Sequence, residues 1–240
     1  MHVIGFFFDF DGTLAPLDRR REDLRVSEDN VKMLEILREK GFRTAVISSK
    51  DCGFLRSKIP VNLDGMACIY ALEIRGGGYV VVDEKSVERE SNEKIQKILS
   101  MLKALENQVT LEIKKVLDAY VGGIGIDWRF SGGRPSEIDS IIDLARSLGL
   151  KIYEYKYYPF LDIYTSYREK DWSVKILRTL LGVDKIVYLG DSENDLKAFE
   201  EADVRVLVRH KYNKHFNPDV DYIVEFDSVA RWVLDYARSL

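Results

Sequence analysis

The apolar positions of this chain follow two rhythms. Toward both ends, short runs of consecutive apolar residues alternate with stretches of helical period, whereas in the middle apolar and polar residues alternate singly. Val3 to Phe8 is apolar throughout, which predicts a strand buried on both faces, as in a parallel sheet. Ser27-Glu28-Asp29-Asn30 reads as a helix start, Val31, Leu34, Ile36 and Leu37 give that helix an apolar face, and Gly41 stops it. Thr44 to Ile47 predicts a second strand, followed by a short helix that ends before Pro60. Strands over Met66 to Tyr70 and Tyr79 to Val82 are expected around a hairpin turn at Gly76-Gly77-Gly78.

The middle of the chain predicts an αββαββ order. Helices are expected over Ser91 to Asn107 and Pro135 to Leu148, and strands over Val109 to Lys114, Asp118 to Phe130, Lys151 to Tyr155 and Phe160 to Tyr164. Single alternation in several of these strands implies a sheet with one wet face, hence a separate small unit over residues 84–164. Beyond it the first rhythm returns: a helix over Asp171 to Leu181, a strand over Lys185 to Leu189, a further helix, and a strand over Val204 to Val208. A loop over Arg209 to Asp219 and a last helix from about Ser228 complete the chain. The predicted fold class is therefore α/β: one Rossmann-like parallel sheet from residues 1–83 and 165–240, interrupted by an inserted α/β unit.

Composition narrows the partners. With 240 residues, 46% of them hydrophobic, the chain can bury a sizeable core. A net charge of −4 supplies no general attraction to nucleic acid or to anionic membrane, and no apolar run is long enough to span a bilayer. A small-molecule partner, a cytoplasmic location without a signal peptide, and a monomer or weak dimer are the expectations. Cys52 and Cys68, with no His or second Cys close in sequence, read as structural filler. Charged residues at 32% and only two glutamines hint at a thermophilic source.

Chemistry concentrates where the buried strands end. Asp9 and Asp11, two apart in extended chain, project to the same side, and Gly12 allows a sharp turn after them. Two converging acids repel, and a hard cation such as Mg²⁺ relieves that; Asp-Gly is equally a common turn dipeptide. The second strand ends at Ser48, which suits either a phosphoryl oxygen or the cap of the next helix. A third strand ends in Gly190-Asp191-Ser192-Glu193-Asn194-Asp195. Tyr153, Tyr155, Tyr157 and Tyr158 suit a stacking platform, but aromatic residues favour strands in any case. His210 and His215 lie among Arg209, Lys211 and Lys214 and read as a solvated basic loop.

In order along the chain, Asp9-x-Asp11-Gly12-Thr13-Leu14, Ser48, Lys170 and Gly190-Asp191-Ser192-x-Asn194-Asp195 resemble the four motifs of the haloacid dehalogenase (HAD) superfamily of phosphotransferases. The αββαββ insert resembles the cap of the branch that handles sugar phosphates. Within that branch the chain is most similar to trehalose-6-phosphate phosphatases, through Leu14-Ala15-Pro16, Glu112-Ile113-Lys114, Trp128-Arg129, and Asp162 eight residues before Lys170. It departs from them at Ser48-Ser49-Lys50 (usually Thr-Gly-Arg), near Ala71-Leu72 (usually His-Gly), at Lys170-Asp171 (usually Lys-Gly) and at Asp162 (usually Glu).

The resemblance implies a phosphoric monoester hydrolase that acts on a phosphorylated sugar, trehalose 6-phosphate being the first choice. Asp9 would be the nucleophile, Asp11 the general acid and base, and Ser48 and Lys170 would hold the transferring group. Mg²⁺ would sit on Asp9, Asp191 and the backbone carbonyl of Asp11, with Asp195 a ligand or one shell out. Thr13, Glu112, Lys114, Arg129 and Asp162 would contact the substrate; without the resemblance, Glu112 and Lys114 read as a solvated strand face and Arg129 equally as an ion-pair partner inside the cap. Another sugar phosphate, such as sucrose phosphate or a glycosyl-phosphoglycerate, a phosphomannomutase-like reaction, and a silent sugar-phosphate binding module remain alternatives.

Overall fold

A computed structural model of the chain describes residues 2–129, 132–155 and 158–240. In chain order, the first segment comprises β1 (Ile4–Phe8), α1 (Glu28–Glu39), β2 (Arg43–Ile47), α2 (Cys52–Lys58), β3 (Gly65–Cys68), β4 (Glu73–Gly76) and β5 (Tyr79–Val82). The insert comprises α3 (Glu84–Val87), α4 (Arg89–Leu102), β6 (Thr110–Val116), β7 (Tyr120–Asp127), α5 (Ile138–Ser147), β8 (Lys151–Glu154) and β9 (Phe160–Tyr164). The return segment comprises α6 (Lys170–Leu181), β10 (Lys185–Gly190), α7 (Leu196–Glu201), β11 (Val204–Arg209), β12 (Tyr222–Glu225) and α8 (Val229–Arg238).

Two sheets result. One has the order β12-β11-β10-β1-β2-β3-β4-β5, parallel from β12 through β3, with β4 and β5 antiparallel. The other is antiparallel, in the order β6-β7-β9-β8. The wholly apolar β1 follows from this: consecutive side chains point to opposite faces, so Phe6 and Phe8 pack under α1 and α8 while Phe7 packs under α6. The insert has its own apolar cluster, with Ile95, Ile98 and Leu102 of α4 and Ile138, Ile141 and Ile142 of α5 against Ile124, Ile126, Leu161 and Ile163 of its sheet. The mixed α/β class with an inserted cap is thus the observed architecture.

Several expectations need correcting. The glycine hairpin joins β4 to β5, not β3 to β5: Gly77 and Gly78 take φ of 58° and 83° at the turn. The strand expected to reach Tyr70 ends at Cys68 because Ile69, Tyr70 and Ala71 all turn left-handed, at φ 51°, 50° and 66°. The second strand of the insert begins at Tyr120, after left-handed Leu117 and Asp118, and ends at Asp127, short of the expected Phe130, which lies outside the described residues, as does Tyr157. β12 is an edge strand that sequence reading left out. Cys52 and Cys68 are not filler but a disulfide, with Cα atoms 5.4 Å apart. β3 pairs in parallel with β2, so the first residue of α2 lies beside the end of β3. Among the described residues, no helix is long and apolar enough to cross a membrane.

Candidate active site

β1 lies between β10 and β2 in the sheet, so the carboxyl ends of these three strands converge. Asp9 leaves β1 with its amide donating to the Leu189 carbonyl of β10 at 2.8 Å, and Asp191 follows the end of β10. Lys170 opens α6 and is 1% exposed; its Nζ donates to Asp9 Oδ1 at 2.7 Å and to Asp195 Oδ1 at 2.6 Å. Ligand atoms of Asp9, Asp191 and Asp195 lie within 4.8 Å of one another, all buried.

These three acids differ in what is left over for a ligand. Asp195 accepts from Lys170 and from the Tyr188 hydroxyl (2.7 Å) on one oxygen, and from the amides of Asp191 (3.0 Å) and Ser192 (3.1 Å) on the other. Four donors fill its lone pairs, so it serves to aim Lys170 and to shape the loop after β10. Asp9 and Asp191 are less well served. Burial, opposed by Lys170 and reinforced by Asp195 and Asp191, holds the Asp9 carboxyl well above the usual carboxylate range. Burial and Asp195 do the same to Asp191, against Lys170. Lys170 stays protonated because Asp195 and Asp9 outweigh the effect of its burial. A cluster of buried carboxylate oxygens whose joint ionisation is disfavoured by burial and mutual repulsion fits a hard divalent cation.

Around the turn that follows, Gly12 takes φ 79°, and a Cβ there would collide with the Asp191 carboxylate. The Asp11 carboxylate turns away from the three-acid cluster toward Lys50, its Oδ2 lying 3.5 Å from Nζ. Thr13 is buried, and its hydroxyl has no hydrogen-bond partner among the described residues. Ser48 is also buried, at the end of β2, and its Oγ accepts the Lys50 amide at 3.1 Å.

The insert brings its own polar groups to this point. Glu112 of β6 meets two cations of the parallel-sheet core, Lys50 at 3.0 Å and Arg21. Burial would raise the Glu112 carboxyl, but Lys50, Lys114 and Arg21 together lower it to about 2. Lys114 and Asp162 form a buried ion pair at 2.6 Å, and Asp162 also accepts from the hydroxyls of Tyr155 (3.0 Å) and Tyr164 (2.6 Å). Arg129 chelates Asp127 and donates to the Leu17 carbonyl of the core at 2.9 Å. The cleft between core and insert, lined by Asp9, Asp11, Lys50, Tyr155, Phe160 and Asp191, holds about 100 Å³, below the usual size of a ligand pocket.

His210, read from sequence as part of a solvated loop, belongs to this site. Its Nδ1 accepts the Tyr212 amide at 3.2 Å, so Nε2 carries the proton and donates to Asp191 Oδ2 at 2.8 Å. Burial and Arg209 push its pKa down to about 4, which keeps the ring neutral. The buried Asn213 donates to the carbonyls of Asp191 and Val208 and accepts the His210 amide, fixing the loop that carries the ring. Arg21, Tyr70 and Tyr155 were likewise not among the expected site residues. The contacts of Arg21 with Glu112, and of Tyr70 with Asn194 and Tyr155, cross long sequence separations that no local spacing reports.

The architecture matches that of HAD-superfamily phosphatases of known structure. A trehalose-6-phosphate phosphatase related protein superimposes with a TM-score of 0.75 at 15% identity, over 98% of this chain and 97% of that one. The C-terminal domain of the C. albicans trehalose-6-phosphate phosphatase gives 0.71 at 16%, over 99% and 92%, and a HAD subclass IIB sugar phosphatase gives 0.64 at 14%, over 97% and 98%. No protein-family model and no curated protein matches the sequence.

Proposed function

We propose that this chain is a divalent-metal-dependent phosphatase that hydrolyses a phosphorylated sugar through a phosphoaspartate on Asp9, with residues 84–164 as the cap that selects the sugar. The observation that carries this reading is the buried constellation of Asp9, Asp191 and Lys170 on a HAD fold, with Asp11 beside it at the mouth of the cleft. Trehalose 6-phosphate is the preferred substrate within this reading, supported by the likeness to a trehalose-6-phosphate phosphatase related protein and to the C-terminal domain of the C. albicans trehalose-6-phosphate phosphatase.

Asp9 attacks phosphorus in line, forming an acyl phosphate while the sugar oxygen departs. Lys170 neutralises charge on Asp9 and the phosphoryl oxygens, held in place by Asp195. Asp11 gives its proton to the departing oxygen and then takes one from the water that cleaves the acyl phosphate. Ser48 and the hydroxyl of Thr13, which lacks a partner, are available to phosphoryl oxygens. Asp9, Asp191 and the Asp11 carbonyl would hold Mg²⁺, which supplies charge neutralisation at the phosphoryl group. Asp195, its oxygens already filled by four donors, would support the site by holding Lys170 and the loop after β10.

The test is phosphate release from a panel of sugar phosphates that includes trehalose 6-phosphate, in Mg²⁺ and in EDTA. Metal-dependent release from a sugar phosphate supports the reading, with the preferred sugar naming the substrate. Absence of release across the panel, with the metal bound, overturns it.

A further inference from the structure

A single line of hydroxyls joins the two halves of the cleft. Asn194, in the loop after β10, donates from Nδ2 to the Tyr70 hydroxyl at 3.0 Å; Tyr70 lies 2.9 Å from the Tyr155 hydroxyl; and Tyr155 donates to Asp162 Oδ2 at 3.0 Å. The direction of every proton in this line is fixed from one end. Asp162, paired with Lys114, only accepts, so the one Tyr155 proton goes to it. Tyr155 must then accept from Tyr70, and Tyr70, its own proton committed, must accept from Asn194. Tyr70 is 1% exposed and Tyr155 8%, so no bulk water competes.

The backbone under Tyr70 is built for this placement. Ile69, Tyr70 and Ala71 are consecutive non-glycine residues in the left-handed region, a conformation that costs free energy and persists only where surroundings impose it. Here the Ile69 amide donates to the Lys50 carbonyl at 3.0 Å and the Tyr70 amide to the Ser48 carbonyl at 3.3 Å, directly after the disulfide-bonded Cys68. The ring is enclosed by Tyr153, Tyr164 and Tyr167 at 5.9, 5.6 and 5.1 Å. Tyr70 therefore belongs to the core, yet its hydroxyl is aimed at the cap.

We propose that Tyr70 is a positioning residue that registers the cap carboxylate Asp162 against the loop after β10, through the ordered line Asn194, Tyr70, Tyr155, Asp162. The proposal rests on the sugar-phosphate reading, in which Asp162, on the wall of the cleft, contacts the sugar, and the line sets its orientation only when cap and core are in register. Substrates that engage the cap depend on Tyr70, whereas small ones that reach only Asp9 do not.

Tyr70→Phe removes one hydroxyl and keeps the ring. On the panel's best sugar phosphate its kcat/KM falls about tenfold, with hydrolysis of a small aryl phosphate changed less than about twofold. Tyr155→Phe breaks the same line, so the double variant loses little more than either single one on the sugar phosphate. Equal losses on both substrates, or losses that multiply in the double variant, overturn the proposal. Thermal unfolding of the same three variants provides a readout that needs no turnover. Tm shifts of the double variant well short of the summed single shifts support the line even if no sugar phosphate is hydrolysed and the functional reading falls; additive shifts overturn it.

Discussion

As the proposed nucleophile Asp9 would attack phosphorus in its ionised form, yet burial, opposed by Lys170 and reinforced by Asp195 and Asp191, holds its carboxyl well above the usual carboxylate range. Lys170 alone does not reverse this, because it is shared with Asp195. Asp9→Asn is isosteric and would remove the proposed nucleophile, so turnover should drop by at least about a thousandfold while thermal stability holds or rises, since a buried acid beside Asp191 and Asp195 is replaced by a neutral amide. Steady-state phosphate release and a melting curve check both halves. Glu112 makes a pH-dependent counterpart. Its carboxyl lies at about 2 in the folded chain against an ordinary 4.5, so the clamp it forms with Lys50 and Arg21 adds stability that is complete above about pH 4.5 and disappears as pH falls through 2. The stability gap between the wild type and Glu112→Gln, up to about 3 kcal/mol at pH 6, should therefore close between pH 5 and 2 when followed by denaturant unfolding.

At the scale of elements, the strands whose ends carry the chemistry were legible because each is buried on both faces and so unbroken in sequence. Val3 to Phe8, Thr44 to Ile47 and Lys185 to Leu189 all form strands that stop within a residue of their acids or serine. β4 was not legible: Glu73 and Arg75 break its apolar pattern, and only the structure shows Glu73 buried, accepting Arg75 and the Leu117 amide of the cap. β12 is a four-residue edge strand, three of its residues exposed, with too little pattern to read. His210 was read as part of a solvated basic loop because its partner Asp191 lies 19 residues away. The cysteines were misread for the same reason: pairing depends on β3 lying beside β2, not on their 16-residue separation. Their bond ties the start of α2 to the end of β3 and so braces Ser48 to Asp51 between them. Titration of the unfolded, unreduced chain should find no free thiol, and reduction should lower Tm by roughly 6–12 °C, the consequence of about 3 kcal/mol for a loop of this size.

Across the whole molecule, cap and core share an apolar cluster in which Val116 and Tyr164 join Ile69, Tyr70 and Leu72, and they meet at the cleft through ion pairs and polar contacts. Glu112 binds Lys50 and Arg21, Arg129 binds the Leu17 carbonyl, and Asp118 binds Arg56, all across the cleft or its rim. With these contacts closed, the space left in the cleft that Asp9, Tyr155 and Phe160 line is about 100 Å³, so under the proposed function a sugar phosphate would enter only if the cap swung away or Glu112 moved off its cations. Under that proposal Glu112 would have two roles: it holds the closed arrangement through Lys50 and Arg21, and once released it would be available to sugar hydroxyls. Glu112→Ala weakens both, and the two effects separate by substrate. Cleavage of a sugar phosphate should fall about 10- to 100-fold in kcat/KM, the size expected for lost hydrogen bonds to a charged group, whereas a small aryl phosphate, which needs no cap contact, should change less than about threefold or be cleaved faster through the loosened cleft. A matched fall on both substrates would instead place Glu112 within the phosphoryl-transfer machinery, acting through Lys50 on Asp11.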